Sequence, residues 1–475
     1  MKTPTFPLKM TTTALVLLIV GAIDSIRNLP TTALFGGSLI FFFTLSALLF
    51  LIPTALISAQ LTSLKTDKSG IYHWTRLAFG EKFAFFSVWL QWVNTMVWFP
   101  TILSFIVGTA TYFIDPQLAQ NKAFLITAIL SVFWTMTLIN LKGVKTSAAF
   151  ANLCSLFGMV IPMLCIIGMA ALWVILGKPL QIAFTTESLI PSLTHSANWI
   201  SLTAIMTSFL GIELATVHLK DVDQPQKTFP RALYFSVIGI LSTMVLGSLA
   251  IALILPKDQI SLVNGMMQAF SNLFAAYHLS FMTPIMTVML LVGSLGGMVS
   301  WIISPAKGLL QAAQSGYLPP LLSHENKHGA PSHLLIGQAV LVSLICLAFL
   351  FMPSVNGSYW LLSDLSTELY MLMYIIMFLA ALRLKGRHPT LANAFVIPGG
   401  VLGTTVVALT GLLGSLVTIV VGFIPPQGIN TGGSLHYETL FCTGLIAMIV
   451  PASLFYIYKA FKQDDLINSG QCRVD

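Results

Sequence analysis

Charge is what this chain has least of. Only 8% of its 475 residues are Asp, Glu, Lys or Arg, against 56% that are hydrophobic, and the mean hydropathy is +0.87. Soluble domains carry roughly 25% charged residues, so a water-soluble globule is excluded. Cysteine is scarce as well. Five are scattered (Cys154, Cys165, Cys346, Cys442, Cys472) without a CxxC pair or a metal-ligand spacing, which excludes a disulfide scaffold and a zinc site and leaves them as small hydrophobes. A Walker A loop, HExxH and GxSxG are all missing, so no standard sign of ATP use or hydrolysis is present and no cofactor is implied. The formal charge of +7 is spread over short segments between apolar runs. It forms no contiguous basic face, and nucleic acid is excluded as a partner.

What fills the chain instead is long apolar runs. A bilayer core about 30 Å thick takes about 20 mostly apolar residues per helix. That template predicts helix 1 at 12–35, helix 2 at 37–60, helix 3 at 84–113, helix 4 at 122–141, helix 5 at 148–177 and helix 6 at 197–218. It continues with helix 7 at 231–255, helix 8 at 282–314, helix 9 at 333–352, helix 10 at 358–382, helix 11 at 400–424 and helix 12 at 438–461. The expected fold is an all-α integral membrane protein, a single twelve-helix domain over 1–462 with a short tail at 463–475. The first apolar run is too long for a signal-peptide core and lacks a small-residue cleavage site, so it reads as a retained span.

Lys and Arg give the orientation, because cytoplasmic loops are enriched in them. With the N-terminus inside, 19 of the 23 fall on the cytoplasmic side, among them Lys65, Lys68, Arg76, Lys82, Lys142, Lys145, Lys220, Lys227, Arg231, Arg383, Lys385 and Arg387. Lys122, Lys178 and Lys257 fall outside, and Arg27 falls within the membrane. The expected location is the cytoplasmic membrane, multi-pass, with both termini inside and lipid as the surrounding partner. A homodimer is compatible with such a chain.

Three of the predicted helices carry their own interruptions. Helix 1 holds "AIDSIRNLP" (22–30), helix 6 holds "TSFLGIELATVH" (207–218), and helix 3 holds "WFPT" (98–101). Pro removes a backbone donor and Gly weakens a helix. Such breaks survive at membrane depth only where protein or a watery cavity satisfies the freed backbone. Helices 1 and 6 are also the first members of two five-helix halves, about 12–177 and 197–382, with helices 11 and 12 in addition. Interrupted segments at matching positions of two halves point to a midplane site between inverted repeats.

Of sixteen carboxylates, four lie well inside spans: Asp24, Glu213, Asp364 and Glu368. An ionisable group there is expensive and faces a cavity or a partner. Asp24 and Arg27, three residues apart, read either as a local ion pair or as ligands of a bound solute. In the second case an unwound segment through Ser25, Ile26 and Arg27 holds the carboxylate and ammonium of an amino acid, with Thr207, Ser208 and Gly211 of helix 6 across from it. Glu213, two residues past the helix 6 break, is a candidate to take up and release a proton as the cavity alternates between two solutions. The alternative is a structural acid paired with His218. Asp364 and Glu368 share a face of helix 10, and Glu368, the deeper, is a coupling candidate with Arg27 as one partner. Trp98, Trp301, Tyr370 and Tyr374 read either as packing or as aromatics that close over a ligand.

The segment "FLGIELATVHLKDVDQPQKTFPRAL" (209–233) resembles the amino acid/polyamine/organocation transporter superfamily, where a Gly-x-Glu break on helix 6 leads into an Asn-Pro-x-x-x-x-Pro-type cytoplasmic segment. Here Gln224-Pro225 is followed by Pro230 and Arg231. "SPAKGLLQAAQSGYLPP" (304–320) is similar to the end of helix 8 in that family. Within it the chain looks like the branch of bacterial glutamate:GABA antiporters. The resemblance implies a LeuT-like five-plus-five inverted repeat, alternating access, and sodium-independent exchange or proton-coupled uptake, with Gly211 and Glu213 matching the helix 6 motif. One departure stands out: where family members have a Gly-Ser-Gly type stretch in helix 1, this chain has Ile23, Asp24 and Ser25. Some members of the branch plug their inner mouth with a long C-terminal tail, and the dozen residues after helix 12 are too few to be expected to do so.

The function expected is secondary transport of an amino acid, glutamate-like on account of Arg27, in exchange for a related amino acid or amine, with proton coupling through Glu213. The alternative is a cationic amino acid or polyamine, favoured by four interior carboxylates against one Arg. A non-transporting sensor and a membrane-embedded enzyme using His218 and Asp221 are the remaining readings.

Overall fold

The computed structural model describes residues 10–64, 70–143, 153–191, 196–216, 222, 224–314, 316–387 and 394–468. Among them twelve helices are long and apolar enough to cross a membrane: Thr12–Ala33, Gly36–Ser63, Glu81–Phe113, Lys122–Leu141, Leu153–Ile175, Trp199–Thr216, Pro225–Ile254, Met282–Gln314, Ser332–Phe351, Val355–Leu384, Gly400–Gly422 and Ser434–Lys459. These are helices 1 to 12. No strand occurs among the described residues; the single β-type contact is an isolated parallel bridge between Met10 and Val222.

The boundaries differ from the expected ones where local chemistry overrides hydropathy. Helix 7 starts at Pro225, six residues early, because Gln224 takes a left-handed turn (φ 45°) and Pro225 stands in the first helical turn, where its missing N–H is not needed. Helix 12 continues to Asn468, so the tail expected from 463 is helical at its start. The break expected at Pro100 is not there: helix 3 is continuous over Glu81–Ala110. Thr101 and Ser104 donate their hydroxyls back to the carbonyls of Trp98 (2.7 Å) and Thr101 (2.8 Å) within the same helix. His218, Asp221, Cys472 and the loop charges Lys65, Lys68, Lys145 and Lys220 lie outside the described residues.

Two short helices were not foreseen. Ile71–Phe79, bounded by Gly70 (φ 106°) and Gly80 (φ 88°), lies between helices 2 and 3, and Gly265–Ala276 lies between helices 7 and 8. Each buries one face, the first through Ile71, Tyr72, Trp74 and Ala78 and the second through Met266, Met267, Phe270 and Phe274.

The chain divides into two compact units, Met1–Ala84 with Cys165–Ile260 and Met371–Gly422, and Phe85–Leu164 with Ser261–Tyr370 and Phe423–Asp475. The division repeats every five helices. Helices 1 and 2 and helices 6 and 7 belong to the first unit, helices 3 and 4 and helices 8 and 9 to the second, and helices 5 and 10 each pass from the second into the first. The two unforeseen short helices follow helices 2 and 7, again five apart.

In the first unit, helix 7 packs along both parts of helix 1, and helix 11 packs on helix 2 and the first part of helix 6. A Cβ on Gly414 of helix 11 would sit 2.6 Å from the Leu49 carbonyl, so only Gly permits that approach. In the second unit, helix 8 packs on the π-helical turn Leu156–Val160 of helix 5 and on helix 4. Trp92 donates to Gln338 (2.8 Å), which donates to the Ile302 carbonyl (3.1 Å), tying helices 3, 9 and 8 together. Small residues are what let membrane helices approach closely. Here Gly158 and Gly293 face each other backbone to backbone, and a Cβ on Gly293 would also lie 3.0 Å from the Cys154 carbonyl. Gly293→Val is therefore expected to push helices 5 and 8 apart and lower the thermal stability of the purified protein; a melting temperature equal to wild type contradicts this packing.

Candidate functional site

Helix 1 breaks where the sequence loads it with competing polar groups. Its first part, Thr12–Ile23, ends with the Asp24 N–H bonded to the Val20 carbonyl at 2.7 Å. Asp24 (ψ 124°) and Ser25 (φ −144°, ψ 110°) are extended, Ile26–Asn28 is a 3₁₀ turn, and Leu29–Ala33 resumes the helix. Pro30 has no N–H to return to the preceding turn, and Asp, Ser and Asn side chains offer the backbone alternatives to the helical ladder.

The two polar residues of this break are not each other's partner. Thr243 of helix 7 donates to Asp24 Oδ2 at 2.8 Å, while Asp24 Oδ1, buried, has no hydrogen-bond partner. Arg27 Nε donates to Asn28 Oδ1 at 3.4 Å. The local ion pair expected as one reading is thus not formed, since the extended backbone between the two residues removes the helical register it needs. Below the break, Thr32 and Ser248 share a hydrogen bond of 2.6 Å, fixing the lower part of helix 1 on the same helix 7.

Helix 6 breaks at Ser208–Gly211. The N–H groups of Ser208 and Phe209 bond to the Ile205 and Met206 carbonyls (3.0 Å each), tightening the last turn, and Gly211 turns the chain at φ 103° before Ile212–Thr216. That angle is open to Gly and strained for any residue with a Cβ. Across the break lies Tyr374 of helix 10. Its hydroxyl accepts from the Gly211 N–H at 2.9 Å and donates to Glu213 Oε2 in a very short hydrogen bond. One phenol therefore occupies both a backbone donor released by the break and the carboxylate that follows it. Phe50 of helix 2 packs edge-on against the Tyr374 ring, centroids 5.0 Å apart, and holds it in place.

Of the residues expected at the site, Asp24, Ser25, Ile26, Arg27, Thr207, Ser208, Gly211, Glu213 and Tyr374 all fall in the first unit. Tyr374 is fully buried, its hydroxyl bonded to helix 6. The Thr207 and Ser208 hydroxyls turn back to Thr203 (2.8 Å) and Ala204 (3.4 Å) of their own helix. Trp98 and Trp301 lie in the second unit and pack on one another, centroids 4.9 Å apart. Glu368, also there, has no hydrogen-bond partner on either oxygen. Thr243 and Phe50 were missed; each is one of many similar residues in an apolar span, and only the fold singles it out. Among the described residues no group of three or more His, Cys, Asp and Glu could hold a metal ion.

Twelve apolar helices, two of them opened at buried polar residues, define a multi-pass membrane transporter. The chain belongs to the amino acid permease family, whose model matches residues 10–448. It is 37% identical over 458 residues to an uncharacterised transporter of Legionella pneumophila (strain Philadelphia 1), covering 96% of this chain and 98% of the relative. It is 27% identical over 441 residues to a glutamate/gamma-aminobutyrate antiporter of Lactococcus lactis, covering 92% and 87%, and 25% identical over 374 residues to a probable agmatine/putrescine antiporter of the same species, covering 78% of each.

Tyr374→Phe keeps the ring against Phe50 and removes only the hydroxyl. It takes from the buried Gly211 N–H the acceptor it has here, a loss of about 1–3 kcal/mol for a buried group, and is expected to lower the apparent melting temperature clearly. A variant as stable as wild type would remove the clamp.

Proposed function

We propose that this protein exchanges amino acids across the cytoplasmic membrane by alternating access, taking a glutamate-like substrate against a related amino acid or amine. The observation that carries the reading is the matched pair of breaks, at Asp24–Ser25 in helix 1 and at Ser208–Gly211 in helix 6, with buried ionisable groups at both. Because helix 6 comes five spans after helix 1, an odd offset, the second half enters the membrane from the opposite side. The five-helix period of the two units supports an inverted repeat on that ground. The Lys and Arg distribution supports termini on the cytoplasmic side.

The roles follow from the chemistry of the breaks. Asp24, with one oxygen held by Thr243 and the other unpartnered, offers a charge to the substrate's ammonium. The guanidinium of Arg27 offers charge-assisted bonds to an anionic group. The Glu213 carboxylate accepts from Tyr374 while unprotonated. A proton on that oxygen makes it a donor toward the phenol and removes the charge that strengthens the contact, so proton uptake loosens the clamp beside the Gly211 N–H and is coupled to the opening of helix 6. The similarity to a glutamate/gamma-aminobutyrate antiporter supports the substrate class. A cationic amino acid or polyamine is the second reading, favoured by the unpartnered oxygen of Asp24 and by the similarity to an agmatine/putrescine antiporter.

In liposomes preloaded with glutamate, labelled glutamate or gamma-aminobutyrate is expected to enter faster than into empty vesicles. Acceleration by agmatine or putrescine alone would move the assignment to the second reading, and acceleration by none of them would contradict exchange. Arg27→Ala is expected to lose glutamate counterflow at least tenfold, the loss of about 1.4 kcal/mol or more in binding, while the protein still inserts. Glu213→Gln is expected to flatten the pH dependence of counterflow; an unchanged pH profile would take the proton away from this residue.

A further inference from the structure

Helix 10 carries a second set of buried acids that the exchange site does not use. Asp364 and Glu368, four residues apart and so on one face of the helix, are 4% and 1% exposed. Tyr437 of helix 12, itself fully buried, donates its hydroxyl to Asp364 Oδ2 at 2.5 Å. The other three oxygens, Asp364 Oδ1, Glu368 Oε1 and Glu368 Oε2, have no hydrogen-bond partner. Buried polar atoms without partners are rare in folded proteins, and three of them within one turn call for a ligand that supplies a donor.

The surroundings define that ligand. The charges acting on Glu368 and Tyr437 come from within the set: Asp364 on Glu368, and both acids on Tyr437. Helix 3 brings only neutral groups to this stretch of helix 10, with Asn94 accepting from Ser366 at 2.5 Å and Gln91 donating to Tyr370 at 3.3 Å. Trp360 lies one turn before Asp364 on helix 10 itself. A divalent cation asks for six or more oxygen ligands, and the set has two carboxyl groups and a phenol. Two adjacent carboxylates sealed from water cannot both hold a charge. A single proton resolves this, because it makes one carboxyl a donor and leaves the other an acceptor.

We propose that Asp364 and Glu368 form a proton-binding site, one proton shared between the two carboxyls while Tyr437 fixes Asp364. Binding forms one O–H bond on a carboxylate oxygen and one hydrogen bond to the neighbouring carboxylate; release returns the proton to solution and breaks both. The site lies in the second unit, apart in the chain from Glu213, and stands whichever solute is carried.

Infrared spectra of the full-length protein in lipid, taken across a pH series without substrate, test this directly. At neutral pH the difference between wild type and Glu368→Gln should show the loss of one protonated-carboxyl C=O stretch. The amide keeps the size of the side chain and can donate to Asp364, so folding should survive. A carboxyl band identical in both proteins overturns the proposal. If Glu368→Gln does not fold, Tyr437→Phe serves instead: losing the donor to Asp364 should shift the frequency of the same band, and a band that stays in place overturns the proposal. Replacing choline by sodium or potassium at fixed pH and ionic strength should leave the melting temperature unchanged; a rise would overturn the proton in favour of a metal cation.

Discussion

A single phenolic hydroxyl holds the opened part of this protein together. A helix broken in a membrane leaves backbone groups that lipid cannot satisfy, and the break in helix 6 leaves the Gly211 N–H and the Glu213 carboxyl side by side. Tyr374 has one lone pair for the first and one proton for the second. The match is specific, since Phe would satisfy neither group and a second Glu would add a like charge. With Glu213 ionised, as the proposed exchange cycle has it, the contact is charge-assisted and belongs to the stronger hydrogen bonds, about 1.5–3 kcal/mol each. It also depends on the protonation of its acceptor, which makes a structural contact serve as a switch in the proposed exchange cycle.

Helix 1 solves the same problem differently. Its break is short, its turn is 3₁₀, and its acid is anchored sideways by Thr243 rather than across the gap. One carboxylate oxygen is thereby left unused. Where the helix 6 break is closed by a partner from the protein, the helix 1 break keeps a buried acceptor without a hydrogen-bond partner. The Ile23-Asp24-Ser25 stretch that departs from the Gly-Ser-Gly type is the origin of that acceptor. The departure leaves the opening of the helix intact.

Much of the fold was legible because lipid is a strict solvent. Span number, span order and the two breaks follow from apolar run length and from Asp24, Pro30 and Gly211, each acting locally. Helices 4 and 8 coincide with the expected ranges. The short helices Ile71–Phe79 and Gly265–Ala276 escaped because their apolar faces are too brief for a span-length window and gain meaning only from what they pack on. Pro100 misled for the opposite reason: a local rule predicted a break, and the helix runs through it over Glu81–Ala110. The partners at the site were the least legible. Tyr374 could be named from the sequence as an aromatic of helix 10, but its role as a clamp depends on a residue 163 positions away in the chain, and nothing in the run around Thr243 marks it out from other hydroxyls.

Amide hydrogen exchange at Gly211 tests the clamp most directly. At neutral pH the Gly211 N–H, bonded to Tyr374, should exchange slowly in wild type and far faster in Tyr374→Phe, while amides within Ser196–Thr207 keep their rates. A Gly211 amide that exchanges at the same rate in both proteins would mean that the phenol does not close the break, and the proposed coupling of Glu213 to the opening of helix 6 would fall with it.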